Sequence, residues 1–340
     1  MKRFLRIFLV FLVVVLSAQA LLLLILLPQK QLIVRVEERS FLEKLAFFQN
    51  NFESFDTVFF GSSRTFRNID VEDFNHLTGR QAFNFGVDGM GTPRHLNIIR
   101  ILLENTSYLD DKCLVIEIAP WDSIGNQYEN PFYFPIPDSE LVPFYFFPEI
   151  PISQRLEGFA GFLLNRAKRL VDLPYLAWRR GPLPPPSSYR WVATSGYYCL
   201  DDEWNDELLQ KNTPAPGPFQ LRRDRFLARS DPNQNRKVPF RFVQGKENPP
   251  YRGFLEIEAL ARSQGCRVLF HLQPRHPDSF IPIMEQYFLL PQGRVINFCD
   301  PQAFPQFYQP ENCFDSGHLN RRGARLMSQL IADKIQGQEP

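Results

Sequence analysis

The sequence predicts an α/β fold, a three-layer sandwich around a parallel five-stranded sheet. Three observations point there. Short apolar runs alternate with segments of helical spacing. The runs end in turn-forming residues: Gly61-Ser62-Ser63 after Phe60, Gly86 after Phe85, and Ala119-Pro120 after Ile118. An amphipathic stretch, 322–335, follows the last run. Short buried strands separated by helices form a parallel sheet covered on both faces. Ligands of such sheets sit beyond the carboxyl ends of the strands.

Taken in order, Ile7 to Leu27 is apolar except for Ser17 and Gln19, and Pro28 ends it. A helix of this length spans roughly 30 Å, the thickness of a bilayer core. Lys2, Arg3 and Arg6 precede it and favour a cytoplasmic N-terminus, while Lys30, Arg35 and Arg39 on the far side oppose that orientation. Ala18-Gln19-Ala20 also fits a signal-peptide cleavage pattern, but seven apolar residues follow it. The expectation is an uncleaved transmembrane signal anchor at 1–28. A charged, helical stalk at 29–50 and an extracytoplasmic body at 51–338 would follow, in the periplasm or at the cell surface.

Within the body, strands are expected at 57–60, 82–85, 113–118, 267–272 and 294–298. Helices are expected at 95–104, 254–262, 281–289 and 322–335. Between 121 and 250 the alternation fails. Aromatic and Pro-rich runs at 131–151 and 181–191 flank a helical stretch at 153–180, and a basic polar segment at 221–237 reads as solvated loop. A structureless loop this long is unusual, so 121–250 is read as a large irregular insertion or cap over the site.

Composition narrows the function. The chain has 340 residues, 44% of them hydrophobic, with 38 Lys+Arg against 37 Asp+Glu. That hydrophobic content together with a net charge of +1 excludes a fully disordered chain, and the even balance argues against a nucleic-acid binder driven by bulk charge. A mean hydropathy of -0.25 leaves room for one apolar span and little more. The five cysteines form no C-x-x-C pair. Cys299 and Cys313 bracket a loop and could bond in an oxidising compartment; isolated buried thiols are the competing reading. No cluster with metal-ligand spacing occurs, so neither a metal nor a cofactor is expected.

Three strand-end loops carry residues suited to chemistry. Gly61-Ser62-Ser63-Arg64 puts a serine at a strand-to-helix turn, where a helix N-cap is the alternative reading. Asn84-Phe85-Gly86-Val87-Asp88-Gly89 places glycines where a backbone N–H can approach a substrate oxygen. Asp315-Ser316-Gly317-His318-Leu319-Asn320 lets an acid three residues before a histidine turn back onto one ring nitrogen. The other nitrogen is then left for a serine proton.

Together these loops resemble the SGNH hydrolase superfamily, whose fold is flavodoxin-like. Its motifs are Gly-Asp-Ser after the first strand, Asn-x-Gly after the second and Asp-x-x-His before the C-terminal helix. The resemblance covers about 51–120 and 251–338. It implies Ser63 as nucleophile, His318 as base and Asp315 as the acid that orients it, with oxyanion donors at the Ser63 and Gly86 N–H groups. Two departures stand out. Ser62 replaces the usual Asp, and Glu117-Ile118-Ala119-Pro120-Trp121-Asp122 replaces the usual Gly-x-Asn after the third strand. With its N-terminal anchor, the chain is most similar to membrane-anchored SGNH-like proteins of bacterial envelopes, including those of teichoic-acid D-alanylation and exopolysaccharide acetylation. That implies an esterase or O-acyltransferase acting on an envelope glycan or other acyl ester, partnered by a multi-pass membrane acyltransferase. The alternative is an inactive scaffold that binds such a partner or a polysaccharide. Arg64, Asn84, Glu117, Asp122 and His271 are further expected to line the site.

Overall fold

The computed structural model describes residues 6–8, 10, 11, 13, 14, 17, 44, 47, 48, 50–88, 92–104, 109–118, 195–202, 204, 205, 218–229, 240–243, 249–274, 281–284 and 294–337. The chain divides into two units. One contains the described helical positions between 6 and 17, whose apolar side chains are exposed. The expected anchor lies largely outside the described residues. Among the described residues no helix is long and apolar enough to cross a membrane. The stretches 131–151, 153–180 and 181–191 also lie outside them.

The second unit is α/β. Its first strand, β1 (Thr57–Gly61), runs parallel to β2 (Ala82–Gly86) on one side and to β3 (Cys113–Glu117) on the other. Then come β5 (Arg267–Leu272) and β7 (Val295–Asn297), giving the order β2-β1-β3-β5-β7 with every pair parallel. Winding reverses between β1 and β3, and in open α/β sheets that reversal opens a crevice at the strand ends.

Strand pleating sorts the core into two layers. Phe59, Val115 and Leu269 face one side, packed with α2 (Val71–Thr78) and the final helix α6 (Arg321–Gln336). There the Phe59 and Phe74 rings meet edge to face at 5.1 Å, and Met327, Ile331 and Ile335 of α6 complete the layer. The opposite side takes α3 (Thr92–Glu104) and α5 (Pro249–Ser263), with Phe254 edge-on to Phe270 at 5.6 Å. A short helix, α1 (Ser63–Asn68), lies between β1 and α2. At the β2 edge, Phe48 packs on Phe55, Phe83 and Phe85, so the end of the segment read as a stalk is part of the core.

Two expectations are corrected. The segment 281–289 was expected to be helical, but Ile281–Met284 is strand β6, parallel to β4 (Phe240–Val243) in a separate two-stranded sheet. β-branched Ile281 and Ile283 favour a strand, and Phe240–Val243 supplies the partner it needs. The segment 221–237 is not loop throughout, because Pro218–Arg229 is helix α4, anchored by buried Phe226. Of the two readings left open for Cys299 and Cys313, the structure has the buried free thiols. Their sulfurs donate to different carbonyls, Cys299 to Gln273 at 2.7 Å and Cys313 to Phe307 at 3.1 Å.

Candidate active site

The turn after β1 begins with Ser62, which caps α1 by accepting from the Arg64 N–H at 3.3 Å. Ser63 is therefore the first helical residue, half-exposed at the end of the central strand. Its Oγ lies 3.1 Å from Nε2 of His318. The Nδ1 of His318 lies 2.9 Å from Oδ1 of Asp315. That same oxygen accepts the N–H groups of Gly317 at 2.8 Å and His318 at 2.9 Å, so the tight loop fixes both acid and imidazole.

Burial pushes the Asp315 carboxyl up. Attraction to His318, the hydrogen bonds from His318 and Gly317, and Arg222 outweigh this and hold it well below the usual carboxylate range. An ionised acid on Nδ1 fixes the tautomer that leaves Nε2 able to take a proton from Ser63.

Several sequence-level candidates have internal duties instead. Asn84 is fully buried. Its Nδ2 donates to the Thr65 and Ile69 carbonyls at 2.8 and 3.0 Å, which ties β2 to α1. Its Oδ1 accepts the Gly86 N–H at 2.9 Å. The N–H assigned to an oxyanion thus already has an acceptor within the protein. Position 86 needs glycine for another reason, since a Cβ there would overlap the Phe66 backbone. Among the described residues nothing accepts from the Ser63 N–H, which is left available as an oxyanion donor.

Glu117 and His271 pair in register on β3 and β5, and both are buried. Glu117 accepts from Ser62 and Thr65, and Arg64 Nη1 lies 3.6 Å from it, so Arg64 is folded down toward the sheet. The Nδ1 of His271 takes a 3.3 Å bond from Gln273, whose own oxygen accepts from Asn68. Burial lowers the His271 pKa to about 4 against an opposing pull from Glu117, so the ring is neutral at pH 7. Asp122 lies outside the described residues.

Sequence reasoning missed four contributors. Arg222, on α4, reaches Asp315 Oδ2 at 3.3 Å. Arg223 donates to the carbonyls of Cys313 and of Phe314, the latter at 2.9 Å. Asn68 accepts the Leu319 N–H at 2.9 Å. Asp88 holds buried Arg67 at 2.8 Å and lies close enough to His318 to feel its charge. For Asp88 the signal was its place in the Gly86 loop. For the arginines it was the helical placement of Phe226 behind them; for Asn68 there was none.

The arrangement can deprotonate a hydroxyl, stabilise the resulting imidazolium and present a nucleophile at a strand end. Among the described residues no group of His, Cys, Asp and Glu could hold a metal ion. No protein-family model matches this chain, and none of the curated proteins does.

Proposed function

We propose that this chain is a serine-dependent esterase or O-acyltransferase of SGNH-like, flavodoxin-like three-layer architecture. One observation carries the reading: the unbroken hydrogen-bonded series from Ser63 through His318 to Asp315. In this reading Ser63 Oγ attacks the carbonyl carbon of an acyl ester while Nε2 of His318 takes its proton. Asp315 stabilises the imidazolium, and the Ser63 N–H meets the oxyanion. The tetrahedral centre then expels the alkoxide, which leaves with the proton held on Nε2. Water or an acceptor hydroxyl gives its proton to His318 and attacks the acyl-Ser63 carbonyl; the second tetrahedral centre then breaks the bond to Ser63 Oγ, which takes the proton back from Nε2.

The N-terminal apolar stretch supports anchorage in a cell membrane with the body outside the cytoplasm. An envelope glycan as acceptor and a multi-pass membrane acyltransferase as acyl source rest on the family resemblance. One observation favours a second reading, a binding or scaffold protein without turnover: the Gly86 N–H already bonds Asn84.

A fluorophosphonate probe separates the two readings. The catalytic one expects a single adduct on Ser63 by peptide mass spectrometry, absent in Ser63→Ala and strongly slowed in His318→Ala. A wild-type protein that stays unlabelled while folded leaves the scaffold reading.

A further inference from the structure

We infer that Glu117 is a positioning residue for Ser63, a buried carboxylate that shapes the nucleophile's turn from the neighbouring strand. The inference rests on the catalytic reading of Ser63 for its consequence, but on separate geometry for its support.

Glu117 ends β3 beside the end of β1, and its exposure is 0%. Its oxygens accept the Ser62 N–H at 2.7 Å, the Ser62 hydroxyl at 2.8 and 2.9 Å, and the Thr65 hydroxyl at 2.8 Å. Arg64 Nη1 completes the set at 3.6 Å. Ser62, Arg64 and Thr65 are thus all bound to one carboxylate. Among the residues 62–65, Ser63 alone is not, and its hydroxyl is the one turned to His318. Gly61 makes the room, because a Cβ there would overlap both Glu117 and the Thr65 hydroxyl.

A buried charge at this place needs a reason. Replacing a buried ion pair by apolar side chains is often neutral or stabilising. Parallel strands of this kind otherwise read as apolar runs. Burial pushes the Glu117 carboxyl up, yet Arg64, His271, the Ser62 N–H and the Thr65 hydroxyl together hold it below its usual value. It is therefore a charged group under the turn, accepting from three donors and paired with Arg64. Two departures in the sequence, Ser62 in place of an acid and Glu117 at the end of the third strand, become one feature. The small Ser62 side chain admits the carboxylate that β3 supplies.

The test compares wild type with the isosteric Glu117→Gln and with Glu117→Ala, using fluorophosphonate labelling and crystal structures. The expected result is a maximal labelling rate about 10²-fold lower in Glu117→Gln, the scale of a misplacement of one ångström. Half-saturation by the probe and the final fraction labelled stay unchanged. A purely structural role would lower the labelled fraction and leave the rate of the folded molecules alone, and that result overturns the inference. If wild type does not label at all, the catalytic reading fails, and the crystal structures still decide. A Ser63 Oγ to His318 Nε2 distance that opens beyond hydrogen-bond reach in Glu117→Gln supports positioning, and an unchanged distance overturns it. If Glu117→Ala does not fold, the Gln variant carries the comparison.

Discussion

Asn68 and Leu319, 251 positions apart, share a hydrogen bond of 2.9 Å from the Leu319 N–H to the Asn68 side-chain oxygen. Asn68 ends the helix that Ser63 begins, and Leu319 follows His318. One buried amide thus fastens the loop that carries the imidazole to the helix that carries the hydroxyl. Its other end donates to Gln273 at 3.1 Å, so its bonding is satisfied at both ends within the core.

Asn68→Ala strands the Leu319 N–H and the Gln273 oxygen. The expected cost is about 1–3 kcal/mol for each buried group left without a partner. Urea unfolding followed by far-UV circular dichroism measures it. The rate of probe reaction at Ser63 should fall as well, because the fixed approach of His318 is lost. An Asn68→Ala protein as stable as wild type would contradict the fastening role.

His271 makes stability depend on pH in the mildly acidic range. Its folded pKa is about 4 against an ordinary 6.5, and burial is the cause. The unfolded chain takes up a proton as pH falls through 6.5, and the folded chain resists until about 4. The contribution is therefore present above 6.5 and lost as pH falls between those two values, by about 3 kcal/mol. Denaturant titrations at several pH values should show this slope in wild type and a flatter one in His271→Asn. Parallel slopes in the two proteins would contradict it.

Arg222 and Arg223 should separate by experiment although they are adjacent. The Arg222 side chain is 46% exposed where it meets Asp315, so salt screens the pair and it contributes little. Arg222→Gln is expected to slow probe reaction by no more than about fivefold, with the difference vanishing near 0.5 M salt. Arg223→Ala removes a donor from two carbonyls in the Cys313–Phe314 stretch. The expected result is a loss of about 1–3 kcal/mol in stability that salt does not abolish.

All five cysteines are buried and free. Burial pushes the thiols of Cys113 and Cys199 up to about 11 and that of Cys313 up to about 12. The native protein should resist an aromatic disulfide reagent at mildly alkaline pH, since the thiolate is the reactive form. In guanidinium without reductant, five thiols per chain should react. Three would mean that one disulfide had formed after all.

Most strands of the main sheet, and the loops that end them, can be read from residue order alone. Strand positions at 57–60, 82–85 and 267–272 were legible because strands buried on both faces leave a near-continuous apolar run between turn residues. So was the Asp315–His318 turn, whose hydrogen bonds close within three residues. Glu117 and Asn84 were visible only as polar residues near strand ends. That Glu117 grips Ser62, and that Asn84 occupies the Gly86 N–H, follows from β1 lying between β2 and β3. The strand at Ile281–Met284 needed a partner 41 residues earlier, at Phe240. That Cys299 and Cys313 stay apart, each sulfur on a different carbonyl, shows only in the fold. Tertiary structure alone settles such pairings, because a hydrogen-bond partner far away in the chain is chosen by how layers pack, and no local pattern records it.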